Sequence, residues 1–196
     1  MKSVLMTAIA CVLLAAPAAW AQPAADAAGP GRPDVKNVGD WVVRCFPIQS
    51  PSPCDMFQEE DSSKSRQRVL AISLAYVPGM DRHALQVSVP LDVAIQRGLI
   101  IQTDSYTSPV LKYRRCDRNG CYVEMAVDSA MVQGLSKSGA AGKINIVADN
   151  GKSYGLDFSL KGFTAAYDDR VDQARAKAKP IAKSDDAAAA APAATP

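Results

Sequence analysis

Cys121-Tyr122-Val123-Glu124-Met125-Ala126-Val127 sets Cys121, Val123, Met125 and Val127 on one side of an extended chain, with Tyr122, Glu124 and Ala126 on the other. Successive side chains of a strand point to opposite faces, so this two-residue period describes a ribbon with one face buried. The same period recurs upstream. Trp41, Val43 and Cys45 alternate with Val42 and Arg44; Ile72, Leu74 and Tyr76 with Ser73 and Ala75; Leu85, Val87 and Val89 with Gln86 and Ser88. Downstream it returns in Ile144 and Ile146, and in Tyr154, Leu156, Phe158 and Leu160. Pro78-Gly79, Asn119-Gly120 and Asn150-Gly151 fall between these runs and suit tight turns. Leu99-Ile100-Ile101 reads as a strand covered on both faces, and Ser129 to Lys137 as the one helix inside the domain, with Met131, Val132 and Leu135 along one side. The expected fold is all-β: two antiparallel sheets packed face to face, burying the alternating stripes.

Outside this core the composition changes. Met1-Lys2-Ser3, an apolar run from Val4 to Ala16 and the small residues of Ala19-Trp20-Ala21 have the layout of a secretory signal peptide, residues 1–21, cleaved after Ala21. A lipoprotein site at Cys11 is disfavoured, because cleavage there leaves too short an apolar segment for export. The run falls short of the roughly 20 residues that span a bilayer, so no transmembrane segment is expected in the mature chain. Residues 22–36, rich in Ala, Pro and Gly, read as a flexible leader. The β-sandwich domain is expected at 37–170. Residues 171–196 are expected to be partly helical and then disordered, since Gln173 to Lys179 are helix formers without an apolar stripe and Pro180 stops a helix.

Four cysteines follow the expected signal peptide: Cys45, Cys54, Cys116 and Cys121. An even number in an exported chain reads as two disulfides, of which three pairings exist. Cys45–Cys54 and Cys116–Cys121 are preferred because each brackets turn-formers: Pro47, Pro51 and Pro53 in one loop, Asp117-Arg118-Asn119-Gly120 in the other.

The chemistry available is sparse. The 196 residues carry 22 Lys and Arg against 20 Asp and Glu, a balance that argues against a nucleic-acid binder. The sequence holds one histidine, His83, at the start of a strand. It is read as an exposed structural residue on the face opposite Leu85, with no G-x-S-x-G elbow to present a serine to it. Gly151-Lys152-Ser153 echoes a phosphate-binding loop, but Ile146 stands where the motif needs its first glycine. No catalytic, cofactor or metal site is expected. Trp41 is expected in the core near Cys45, as a large ring beside a disulfide. Asp168, Asp169 and Asp172 read as the solvated start of a terminal helix. Lys112, Arg114, Arg115 and Arg118 form the densest basic group, with Lys112 and Arg114 on one face of a strand and Arg115 on the other, toward Leu111 and Tyr113. They are the candidate contact for an anionic partner, against a plainer reading as a solvated edge strand.

Gly39-Asp40-Trp41-Val42-Val43-Arg44-Cys45, then Cys54, Pro90-Leu91 with Gly98-Leu99, Cys116 with Gly120-Cys121, and Ser159-Leu160-Lys161-Gly162-Phe163 with Ala165-Ala166 occur in this order. The set resembles the invasion-associated locus B family of exported bacterial proteins over most of residues 39–167. The resemblance implies an immunoglobulin-like sandwich in the periplasm or at the cell surface, with no catalytic residues to carry over. It also implies a role of the host-cell invasion kind. Asp92 departs from the family pattern, in which relatives generally show glycine.

Together these readings give an exported, non-enzymatic sandwich acting through contacts with a protein, cell-envelope or host-surface component. The alternative is a periplasmic small-ligand-binding module or accessory subunit of an envelope complex, which calls for a pocket between the sheets.

Overall fold

The computed structural model describes residues 31–178; the expected signal peptide, most of the leader and the tail beyond 178 lie outside them. Among the described residues ten strands form two sheets. β1 (Asp34–Val38), β2 (Trp41–Cys45), β3 (Cys54–Asp61), β4 (Arg68–Val77), β5 (Arg82–Val89), β7 (Arg115–Asp117) and β8 (Gly120–Val127) make a seven-stranded sheet in the order β1-β2-β3-β4-β5-β8-β7. β6 (Leu99–Gln102), β9 (Ala141–Val147) and β10 (Ser153–Ser159) make a second sheet in the order β10-β9-β6. All pairings between these strands are antiparallel.

Register follows the hydrophobic alternation. Ile72 lies opposite Val87 and Leu74 opposite Leu85, while Val87 and Leu85 in turn face Val123 and Met125. In the second sheet Leu99 pairs with Ile146 and Ile101 with Ile144. A one-residue slip would turn every one of these stripes to solvent, which is why the register is firm. The two inner faces meet around Ile72, Leu74, Leu85, Ile101, Ile144 and Phe158 and leave an apolar void of about 20 Å³.

The second layer is too narrow to cover seven strands, and two helices complete it. α1 (Ser129–Lys137) is the expected helix; the Asp128 carboxylate caps it by accepting the Met131 backbone N–H at 2.8 Å. Met131, Val132 and Leu135 are its buried side. α2 (Phe163–Lys177) begins earlier than the tail helix expected from 171, inside the stretch read as sandwich. It packs against β2, β3 and β4. Its buried residues are Phe163, Ala166, Arg170 and Ala174, at helical spacing. At the other end Asp34–Lys36, read as flexible leader, belong to β1.

Both expected disulfides are present, Cys45–Cys54 across β2 and β3 and Cys116–Cys121 across β7 and β8. In each pair the cysteines are direct cross-strand neighbours. Trp41 is 1% exposed as expected, but it packs edge-on to Phe163 in the main core, whereas Cys45 and Cys54 pack with Tyr76 and Ala174. Asp92 does not occupy the left-handed region, so its backbone makes no demand for glycine there.

The β1–β2 turn is pressed against the turn between β10 and α2. Gly39 (φ 62°) and Gly162 (φ 81°) face each other, and a Cβ on Gly162 would stand 2.5 Å from the Val38 carbonyl oxygen and 2.9 Å from Gly39 Cα. Gly162→Ala is therefore expected to lower stability by about 2 kcal/mol, through strain at positive φ plus the clash, read as a reduced denaturant midpoint. The disulfides should also differ in reducibility. Cys116 is exposed, whereas Cys45 and Cys54 are 2% and 1% exposed. Timed alkylation of native protein in a mild reductant should show Cys116–Cys121 opening first, because thiol exchange needs access to sulfur.

Candidate functional site

Two clusters of charged and titratable side chains bear on function. The first is the hairpin of β7 and β8, where the cross-strand disulfide holds the turn Asp117-Arg118-Asn119-Gly120. Asp117 accepts the Asn119 backbone N–H at 2.8 Å and the Tyr122 hydroxyl at 3.1 Å. That backbone donor above all, with Tyr122 and Arg115, holds its carboxyl below the usual range.

Arg115 is committed within the molecule. Its Nη1 lies 2.6 Å from Asp117 and its Nε 3.1 Å from Glu124, while its guanidinium sits 3.9 Å over the Tyr122 ring. Glu124 also accepts from Gln86 at 3.0 Å and lies 3.6 Å from Arg114. Residues 112–114 are not a strand, so the expected division of faces fails: Arg114 and Arg115 converge on Glu124. Arg115 lies on the outer side with Tyr122, whereas Leu111 and Tyr113 turn into the core. Burial pushes the Tyr113 hydroxyl up to about 12. The outward-reaching cations are Arg114, with a side chain 70% exposed, Arg118 at the turn, and Lys112, whose Nζ donates to the Gln96 carbonyl at 3.3 Å.

The second cluster lies where α2 crosses the ends of β4 and β5. His83 is half-buried and faces inward, correcting the exposed placement opposite Leu85: two residues apart on β5, the two share a face. Its ring stacks on Tyr76 at 4.7 Å between centroids and tilts against Tyr167 at 5.0 Å. Nε2 lies 2.7 Å from the Tyr167 hydroxyl and Nδ1 lies 3.1 Å from Nη2 of Arg170. Arg170 is 0% exposed, donates from Nη1 to the Leu74 carbonyl at 2.8 Å, and sits over the Tyr167 ring at 4.6 Å. Nothing in the sequence reading singled it out. The available signal was the spacing Phe163, Ala166, Arg170, Ala174, which marks one helix face with an arginine in it.

Burial first, and Arg170 second, lower the His83 pKa from its ordinary value near 6.5. Burial also lowers Arg170 to about 10, which leaves it a cation at neutral pH. The acidic residues expected at the start of a terminal helix stand in mid-α2: Asp169 pairs with Lys36 at 2.5 Å, and Asp168 and Asp172 border a cleft shared with Asp81, His83 and Arg175. Among the described residues no three His, Cys, Asp or Glu side chains are grouped to hold a metal ion, and no helix is long and apolar enough to cross a membrane.

This architecture has known counterparts. A crystal structure of invasion associated protein b from Bartonella henselae is similar in fold, with a TM-score of 0.63 at 18% identity, covering 72% of this chain and 99% of that one. Two Invasion protein B homologues of Brucella abortus, from strain 2308 and from biovar 1 strain 9-941, are each 30% identical over 130 residues, 66% of this chain and 74% of theirs. The family model described as Invasion associated locus B (IalB) protein matches residues 41–171. With its paired cysteines, two-layer fold and family match covering β2 to β10 and most of α2, the chain belongs to the invasion associated locus B family.

Proposed function

We propose that this is an exported, non-enzymatic protein of the periplasm or cell surface that works through contacts with an anionic protein or surface, in an invasion-related role. The observation that carries the reading is the stapled hairpin. Cys116–Cys121 and the paired Arg115 form a rigid base from which Arg114, Arg118 and Lys112 reach outward at one rim of the large sheet. Fixed cations of this kind steer an anionic partner and keep the entropic penalty of binding small. Family membership and two disulfides support export, since such bonds persist in oxidising compartments.

The small-ligand alternative is less well supported. It calls for space between the sheets, where the void is about 20 Å³, against on the order of 300 Å³ or more for ordinary ligand sites. A hydrolase is disfavoured because both ring nitrogens of His83 face Tyr167 and Arg170 rather than a serine and a carboxylate.

The test is binding of the purified chain to host-cell membranes at low and moderate salt. Arg114→Glu combined with Arg118→Glu should weaken binding about tenfold and flatten its salt dependence, because charges at a contact rim act mainly through encounter. Lys64→Glu, at an exposed position in the β3–β4 loop, should have little effect. Equal binding by all three proteins rejects the hairpin as the contact.

A further inference from the structure

We infer that His83, Tyr167 and Arg170 form an acid-sensitive latch, in which protonation of the imidazole undocks the C-terminal half of α2 and uncovers the Cys45–Cys54 disulfide. The assignment rests on the donor and acceptor inventory of three side chains. A guanidinium only donates, so the His83 Nδ1 that faces Arg170 Nη2 at 3.1 Å must present its lone pair. The neutral ring then carries its proton on Nε2 and donates to the Tyr167 hydroxyl at 2.7 Å. A second proton has to enter at Nδ1. There it would set N–H against N–H and place two cations in contact where Arg170 is fully buried. The ring is stacked between Tyr76 of the sheet and Tyr167 of the helix, so turning it aside gives up both contacts.

The charged and titratable groups around the ring come from every neighbouring element. β4 supplies Tyr76, and the turn before β5 supplies Asp81. The strand itself supplies Arg82. α2 supplies Tyr167, Arg170 and Arg175, with Asp168 and Asp172 bordering the same cleft. The β8 partner of His83 is Val127, which does not titrate. Asp81 favours the imidazolium, but its carboxylate already accepts the Tyr76 hydroxyl at 2.7 Å. Burial and Arg170 oppose it, and the net effect is a lowered pKa. A histidine whose folded pKa is depressed leaves stability intact above its ordinary value near 6.5. Stability falls as pH drops below that value toward the folded one, because the unfolded chain then binds more protons.

What the latch holds is specific. Arg170 ties α2 to the Leu74 carbonyl, Ala174 packs on Cys45, Cys54 and Tyr76, and Gln173 Oε1 lies 3.3 Å from Cys45 Sγ. Phe163 anchors the other end of α2 beside Trp41, so opening is confined to the segment from Tyr167 onward. The other ties of that segment to the sheet include a 3.3 Å bond from Arg175 Nη2 to the Tyr76 hydroxyl and the solvent-accessible pairs Lys36–Asp169 and Lys177–Asp34, the latter of the kind that contributes little.

His83 is the only histidine of the sequence, so in untagged protein one imidazole signal reports the latch directly. The experiment follows that signal by NMR from about pH 7.5 to about pH 4.5, together with hydrogen exchange of α2 corrected for intrinsic rates. The ring should titrate below 6.5. Peptides covering Arg170 to Lys177 should lose about tenfold protection over the same pH range while β9 and β10 keep theirs. Phosphine reduction of Cys45–Cys54 should accelerate in parallel relative to that of Cys116–Cys121, which corrects for protonation of the phosphine. His83→Asn, which places an uncharged acceptor near the Nδ1 position, should remove the pH dependence. A ring that titrates at 6.5 or higher overturns the latch, as does α2 protection that stays constant through the titration, or equal acid sensitivity in His83→Asn. If that variant does not fold, the coincidence of ring titration and α2 opening in the native chain decides alone.

Discussion

The two layers of this sandwich are sewn together by a buried amide. Gln58 on β3 is 5% exposed; its side chain donates to the Asp40 carbonyl at 2.9 Å and accepts the Ser159 backbone N–H at 2.8 Å. Trp41 adds a bond from its indole N–H to the Ser159 carbonyl at 3.1 Å. The large sheet is thus joined to the end of β10 through groups whose burial without partners would each cost about 1–3 kcal/mol. Gly39 and Gly162 let the backbones approach at the same place. This seam lies directly before the start of α2, the helix that carries Tyr167 and Arg170 to His83.

A fully buried arginine with no carboxylate in contact is an unusual choice for a core; Asp55 acts on it only at longer range. An apolar residue would satisfy a helix face of this kind with less desolvation. Arg170 instead relies on the Leu74 carbonyl, the His83 lone pair and the Tyr167 ring face. All three acceptors are uncharged, so the local balance depends on His83 remaining neutral. The stapled hairpin follows the opposite arrangement. Its cations lie at the surface, Arg115 paired with Asp117 and Glu124 and Arg114 beside Glu124, so counter-charge and water both reach them.

Much of the fold is legible residue by residue. Leu85, Val87 and Val89 announce their inward face by alternation, Asn119-Gly120 announces its turn, and α1 announces itself through Met131, Val132 and Leu135. The basic group was legible as composition but not as geometry. Alternation assigned Arg115 toward Leu111 and Tyr113, but the chain from Lys112 to Arg114 is not extended in a sheet, and Glu124 draws both arginines to itself. His83 was misplaced for a simpler reason: its polarity suggested solvent, although its spacing from Leu85 requires the same face. From Gln173 to Lys179 the sequence announces a helix but no buried face, because alanine, arginine and lysine make no large apolar stripe. A helix can nevertheless dock closely on a sheet when small residues such as Ala166 and Ala174 lie underneath.

Order along the chain determined seven of the strands, their turns and both disulfides, since strand period, turn chemistry and short cysteine loops are local properties; β1, β3 and β7 carry no clean apolar stripe and are set by pairing with their neighbours. Packing alone decided that His83 meets Arg170, 87 residues away, and that Arg114 and Arg115 share one carboxylate. A side-chain period states which face is buried. It carries no information about which distant group will be buried against it, because that depends on how the layers close.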